Sequence, residues 1–189
     1  LLSCVLVQMS NEFISTAVNI SCANNFTAPA ITNTNVSPPA SGIFVKLNEF
    51  NNVFRAINVN GNLGLQTEVS SNTIQLKPDN VFNASQYGVK VTNCFASNTG
   101  GYFTTVQENI AAGSGTATPN PLETLFFGSM NSGTNSPRHT CNELREAYAG
   151  FTFDNYNNDE VWAGNVMQPL IRGLVLTNFG EIGQQGDNG

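Results

Sequence analysis

The stretch Thr73-Ile74-Gln75-Leu76-Lys77 alternates strictly between polar and apolar side chains, and Gly88-Val89-Lys90-Val91-Thr92 repeats the alternation further along the chain. Successive side chains of a β-strand point to opposite faces of the sheet. Each stretch therefore predicts a strand with one buried face and one solvated face. Comparable short runs, separated by clusters of Asn, Gly, Ser and Pro, recur throughout the sequence and predict an all-β domain.

We expect these strands to form a β-sandwich of jelly-roll or immunoglobulin-like type. It would have about eight to ten strands, one or two short helices and long loops. No internal repeat is recognised in the sequence, and the runs at 2–7 and 170–176 are expected to be the most deeply buried. The runs interpreted as strands are 2–9, 42–47, 63–69, 73–77, 87–93, 102–108, 151–156 and 170–178.

Two segments predict helices instead. Residues 48–59 place Phe50, Val53 and Ile57 at helical spacing, although a two-residue period is an open alternative there. Residues 141–148 follow Thr140, a suitable N-cap, and precede a glycine that would end the helix.

Composition limits the classes of partner. The 189 residues suffice for one domain with a proper core. Only 11% of them are charged, against about 25% in a typical soluble domain. Seven Lys and Arg against 13 Asp and Glu give a net charge of -6, while Asn occurs 28 times. Sparse and mostly negative charge disfavours binding to nucleic acid, which needs clustered cations.

The start of the chain indicates its compartment. The apolar run at 1–7 is far shorter than the roughly 20 residues that span a bilayer, so we expect no membrane insertion. A chain that begins Leu-Leu is interpreted as a secreted protein whose signal peptide has been removed, located outside the cell or on its surface. We divide it into an N-terminal strand at 1–10, a sandwich domain at 11–179 and a flexible or partner-bound tail at 180–189.

Cysteines and glycosylation sequons agree with that compartment. Cysteine is even in number and forms no CxxC motif, which favours two disulfides of undetermined pairing and disfavours a zinc site. Four buried free thiols are the alternative. Sequons begin at four asparagines, but this Asn-rich composition supplies about that many by chance. The cysteines are Cys4, Cys22, Cys94 and Cys141, and the candidate glycosylation sites are Asn19, Asn25, Asn35 and Asn83.

The sequence contains no recognised catalytic motif, and we expect no enzyme activity. His139, the single histidine, lies two residues from Cys141 and could in principle activate its thiol. Side chains at that separation in a loop seldom face each other, so the pair is not assigned a catalytic role.

One segment gathers oxygen ligands. Asp154, Asn155, Asn157 and Asp159 are a weak candidate for a calcium site, and calcium is the one cofactor considered. The glycine and the final glutamate of an EF-hand are missing. A turn between two strands explains the same residues, because Asn and Asp favour turns.

Taken together, these features predict a structural subunit of an extracellular, pilus-like filament whose partners are copies of itself. Its N-terminal segment would leave its own domain and complete the sheet of a neighbour, with main-chain hydrogen bonds providing affinity. Equally, that segment could be a central strand of its own domain. The residues expected to fill the neighbour's pockets are Leu2, Val5, Leu6, Val7 and Met9.

Two other classes of function remain open. A capsid or coat protein of β-sandwich type matches the size and the long loops. A secreted carbohydrate-binding, lectin-like module is the other alternative, because sugar sites combine aromatic rings with polar side chains. The aromatic residues near the single tryptophan, Trp162, are Tyr148, Phe151, Phe153 and Tyr156.

Overall fold

A computed structural model describes residues 2–3, 7–8, 16–21, 42–60, 66–78, 84–92, 104–129, 138–155, 161–168, 171–178, 180 and 182. Within these ranges the regular secondary structure is entirely β-strand. The strands are, in chain order, β1 Leu2–Ser3, β2 Val7–Gln8, β3 Thr16–Ser21, β4 Gly42–Lys46, β5 Glu49–Val53, β6 Arg55–Asn60, β7 Gln66–Ser70, β8 Thr73–Leu76, β9 Gln86–Thr92, β10 Thr104–Gln107, β11 Ile110–Ala112, β12 Glu123–Ser129, β13 Arg138–Thr140, β14 Glu143–Arg145, β15 Ala149–Asp154, β16 Val161–Ala163, β17 Val166–Gln168 and β18 Arg172–Thr177.

The chain coils through three parallel sheets. Strand β1 pairs in parallel with β4, β2 with β5 and β3 with β6, and the same step of three strands continues to β18. Each coil, or rung, contributes one strand to each six-stranded sheet. We call the sheets first, second and third in the order in which the chain visits them. The described residues form a β-solenoid of six rungs.

The expectation of a β-sandwich is therefore wrong. Both folds need strands with one apolar face and one polar face, so alternation within a strand does not separate them. What separates them is pairing, and the strands of the solenoid pair in parallel with the strand one coil away. The coil is also the internal repeat that the sequence analysis did not recognise.

The two predicted helices are wrong as well. Residues 48–59 contain β5 and β6, and residues 141–148 contain the short strand β14. The strand alternative was correct for 48–59. Phe50 and Val53 are both buried although they are three positions apart, because the pairing of β5 with β8 shifts register between them. The apolar run at 170–176 is also less buried than expected, because β18 belongs to the last described rung.

The core fills the space between the three sheets. Residues paired across neighbouring strands project inward one above another, so each sheet contributes columns of apolar side chains. His139 takes a place in one column and meets the rings of Phe151 and Phe153 edge-on, at centroid distances of 5.7 and 5.1 Å. The inward columns are Val45, Val69, Val106, His139 and Trp162 in the first sheet, Phe50, Ile74, Ala111, Leu144 and Met167 in the second, and Ile57, Val89, Phe126, Phe151 and Leu174 in the third.

A ladder of asparagines closes the corner between the first and second sheets. Asn72 donates from its backbone N and its Nδ2 to Oδ1 of Asn109, at 3.1 and 2.9 Å. Its Nδ2 also donates to the carbonyl of Val45 in the preceding rung, at 2.9 Å. The same bonds link five rungs, and the asparagines are Asn48, Asn72, Asn109, Asn142 and Asn165.

The ladder holds a strained backbone position in each rung. The residue before each ladder asparagine has a positive φ, close to 55°, in the left-handed region. A side chain in that region costs roughly 1–2 kcal/mol, and only Gly164 avoids the penalty. The other four residues are Leu47, Ser71, Glu108 and Cys141.

We predict that Asn109→Ala destabilises the protein by about 2–4 kcal/mol. The substitution leaves buried donors of Asn72 and buried carbonyls without their partner, and each such group costs about 1–3 kcal/mol. Urea unfolding measures the change. Asn51→Ala is the matched control, because Asn51 is exposed, and it should change the free energy of unfolding by less than about 0.5 kcal/mol. Equal midpoints for the two variants would contradict a stabilising role for the ladder.

Candidate functional site

The strands of the third sheet share a break in their inward–outward alternation that shapes their outer surface. Pairing passes from Arg55↔Tyr87 directly to Ile57↔Val89, and the same step occurs in the pairs of β12, β15 and β18. Two adjacent residues are therefore buried together in successive rungs, and residues three positions apart both face outward. The adjacent buried pairs are Ala56–Ile57, Gly88–Val89, Leu125–Phe126 and Gly150–Phe151.

The first member of these pairs is small in most rungs because a neighbouring backbone lies close. A Cβ on Gly88 would lie 2.8 Å from the carbonyl oxygen of Leu125, closer than real Cβ atoms approach. These breaks in alternation are aligned along the solenoid axis. The two outward rows on either side of them consequently form the walls of one continuous groove.

The groove has a volume of about 320 Å³ and combines aromatic, cationic and hydroxyl side chains. One row contributes Tyr87, Thr124, Ala149 and Arg172, and the other contributes Lys90, Phe127, Thr152 and Val175. The corner between the second and third sheets closes one side with Ser85, Pro121, Leu122 and Tyr148. The hydroxyls of Thr124 and Thr152 are 3.0 Å apart.

Cations lie over the aromatic rings of the groove. The Nζ of Lys90 is 5.7 Å from the ring centroid of Tyr87 and 5.1 Å from that of Phe127. The guanidinium of Arg55 lies 5.5 Å from the Tyr87 ring, and that of Arg172 lies 5.4 Å from the Tyr148 ring. These contacts hold the long side chains against the rings. The Tyr87 ring, which has two cations over it, is buried, whereas Phe127 and Tyr148 remain partly exposed.

The charges of the groove are unbalanced. Across the described ranges, the ion pairs are Lys46 with Glu68 on the first sheet and Arg145 with Glu143 on the second, and none involves Lys90, Arg172 or Arg55. Three of the seven Lys and Arg residues thus lie in or beside one groove without a carboxylate partner in the described structure. Burial, and secondarily the charge of Arg55, lowers the pKa of Lys90 below 10.5.

The one carboxylate in the described lining, Glu123, is committed to the backbone. It is buried, and its two oxygens accept hydrogen bonds from the backbone N of Ser114 and of Tyr148, both at 3.1 Å. These bonds tie two corner segments to β12 and fix the start of the segment that carries the Tyr148 ring. Gly113 lies against the same carboxylate, since a Cβ there would be 2.6 Å from Oε1 of Glu123.

The calcium candidate is only partly within the described structure. Oδ1 of Asp154 accepts hydrogen bonds from Oγ1 of Thr177 at 2.8 Å and from Nδ2 of Asn178 at 2.6 Å. Asn155 follows β15 in the left-handed region with φ 48°, while Asn157 and Asp159 lie outside the described residues. The described part of the chain holds no group of three or more His, Cys, Asp or Glu suited to a metal ion.

The structure separates His139 from Cys141. The imidazole is buried in the core, whereas Cys141 is exposed at a corner with a free thiol. With Cys141 free, the four cysteines do not form the two predicted disulfides. Cys4, Cys22 and Cys94 lie outside the described residues, so a disulfide among them stays a prediction. Of the sequons, Asn19 lies in β3, and Asn25, Asn35 and Asn83 are not described.

The assembly segment pairs within its own chain where it is described. Strands β1 and β2, which contain Leu2 and Val7, pair in parallel with β4 and β5. Val5, Leu6 and Met9 lie outside the described residues. In the tail, Ile182 packs against the core.

Sequence analysis missed most of the groove. Among the aromatic residues it named, Tyr148 lines the groove, but Phe151, Phe153 and Trp162 belong to the core, and Tyr156 is not described. Tyr87, Lys90, Phe127 and Arg172 are far apart in sequence and meet only because their strands stack. The signal that could have placed these four residues on one face is the ladder asparagine, because aligning successive rungs on it brings the four residues into register.

The fold and groove define a class, a three-sheet parallel β-solenoid with a cationic, aromatic groove on one outer face. Comparisons with protein-family models, curated proteins and solved structures find no match. Among the described residues, no helix has the length and apolar character needed to cross a membrane. The function must therefore be argued from the groove itself.

The lowered pKa of Lys90 is testable by NMR titration of ¹³C-methylated lysines, assigned with a Lys90→Arg variant. We expect Lys90 to titrate below 10.5, and Arg55→Gln to raise its pKa partway by removing the secondary cause. Because the folded pKa is lower than the unfolded one, protonated Lys90 opposes folding below the folded pKa. This unfavourable contribution of protonated Lys90 is lost as the pH rises from the folded pKa toward the unfolded pKa. The free energy of unfolding therefore increases over that pH range. Arg145→Gln is the control, and an equal effect of both substitutions would contradict the assignment.

Proposed function

We propose that this protein is an extracellular carbohydrate-binding solenoid that holds an extended glycan in the groove of its third sheet. The observation that carries the proposal is a groove in which the partly exposed rings of Phe127 and Tyr148 lie beside the buried ring of Tyr87 and two threonines. A pyranose ring has apolar C–H faces and a rim of hydroxyls. Aromatic surfaces and a few convergent polar groups are what such a ligand requires.

The shape of the groove supports an extended ligand over a compact one. Its walls come from β9, β12, β15 and β18, which are neighbours along the solenoid axis. Strands in a sheet are about 4.8 Å apart, so four strands span about 14 Å. Stacked repeats characteristically present extended binding surfaces of this kind.

We predict that Phe127→Ala weakens glycan binding about tenfold or more, because it removes one wall of the groove. A glycan array followed by isothermal titration with the best ligand measures the loss. Phe44→Ala is a closely matched control, since Phe44 is also a partly exposed phenylalanine, with Lys46 over its ring at 5.2 Å, but lies in the first sheet. No binding to any glycan on the array would contradict the proposal.

A second candidate is self-assembly into an extracellular structural array. Five of the eight large hydrophobic residues exposed in the described structure belong to the last described rung, 161–177. In the described sheets, β16, β17 and β18 each have a neighbour on one side. Exposed strand edges favour pairing with another chain. In this rung the exposed edges lie beside exposed apolar side chains at the end of the core. The five residues are Val161, Val166, Met167, Ile171 and Leu176.

If copies associate through that rung, Met167→Lys will shift the protein toward monomer in sedimentation velocity experiments. Met167 continues the inward column above Leu144, so a lysine there would place a charge on the apolar end. Ile110→Lys is the control, because Ile110 is similarly exposed but lies in an inner rung of the second sheet. A wild-type chain that stays monomeric at high concentration would rule out this candidate.

A further inference from the structure

We infer that the ligand of the groove is an acidic polysaccharide bearing carboxylates, with Lys90 and Arg172 as the side chains that bind them. The inference rests on the proposed function and names its ligand class. It follows from where the chain places its few cations and from how far apart they lie.

The groove concentrates positive charge on a negative protein. Lys46 and Arg145 are paired with carboxylates on the other two sheets, with Lys46 Nζ 2.6 Å from Glu68. Lys90 and Arg172 face the groove, and no ion pair occupies them in the described structure. Glu123, the one acidic residue in the described lining, is buried and already accepts two backbone hydrogen bonds.

The position of Lys90 is unfavourable without an anion. It is partly buried beside Arg55, and the guanidinium of Arg55 is held in place because its Nε donates to the carbonyl of Ser85 at 2.8 Å. Burial and the like charge both oppose the charged form of the amine, consistent with its lowered pKa. A carboxylate in the groove would reverse that balance by supplying an opposite charge in a partly desolvated site.

The number and spacing of the cations favour a polyanion that needs few contacts with cations. Lys90 lies in the third rung and Arg172 in the sixth, so they are about 14 Å apart along the axis. On a polymer with one carboxylate per sugar, these two cations would contact carboxylates several sugars apart. Sulfated glycans and nucleic acids need clustered Lys and Arg, which this groove does not supply. Thr124 and Thr152 lie between the cations, where their hydroxyls bond to each other and Thr124 donates to the carbonyl of Phe126, and their oxygens can still accept from sugar hydroxyls.

Affinity electrophoresis of the full chain tests the inference with four polymers: polygalacturonate, its methyl ester, neutral dextran and dextran sulfate. The methyl ester keeps the backbone of polygalacturonate and removes its charge. Variants Lys90→Gln and Arg172→Gln are compared with Lys46→Gln, a matched control because Lys46 is ion-paired on another sheet. Circular dichroism confirms that each variant is folded.

We expect polygalacturonate to retard the wild type, and Lys90→Gln or Arg172→Gln to weaken binding about tenfold while Lys46→Gln does not. Added salt should weaken binding as well. Equal retardation by the methyl ester would overturn the carboxylate assignment yet leave carbohydrate binding intact. Stronger retardation by dextran sulfate, or by single-stranded DNA run in parallel, would show a general polyanion site and also overturn it. Binding to none of the sugars would reject the proposed function together with the inference.

Discussion

The asparagine ladder is the interaction on which the rest of the solenoid depends. Each of the three inner ladder side chains, Asn72, Asn109 and Asn142, joins its own rung to both neighbours, since its Oδ1 accepts from one asparagine and its Nδ2 donates to the next and to a backbone carbonyl. These three amides are buried, and both ends of each are hydrogen-bonded. By fixing one corner of each coil, the ladder also fixes which residues lie above one another in all three sheets, and so builds the apolar columns of the core.

The groove is a consequence of that fixed register. A break in the alternation of a single strand would merely redirect one side chain, but the same break at the same level in successive rungs gives a continuous surface feature. It brings Tyr87, Phe127 and Arg172 to one face although no local sequence pattern connects them. A chain with few cations thereby assembles a local positive region without raising its overall charge.

The sequence predicts where several strands lie, but it does not predict how the strands pair. Thr73–Leu76 and Gln86–Thr92 lie where alternation placed them, because alternation reports which face of a strand is buried. Alternation does not indicate which strand is the pairing partner, so strands that form parallel coils were interpreted as the strands of a β-sandwich. The motif that distinguishes them, a core residue followed three positions later by Asn, as in Val69 and Asn72 or Val106 and Asn109, was hidden among 28 asparagines. For the groove, Tyr148 alone was named, since its other members come together only through the register.

The corners between the second and third sheets differ greatly in length from rung to rung. A single residue, Phe54, joins β5 to β6, whereas residues 113–122 join β11 to β12. Strands β6, β9 and β12 nevertheless remain in one register. In these rungs the length of the corner is therefore independent of the register of the strands. Since the longer corner supplies Pro121 and Leu122 to the wall of the groove, an insertion there would reshape the wall and leave the coil itself unchanged.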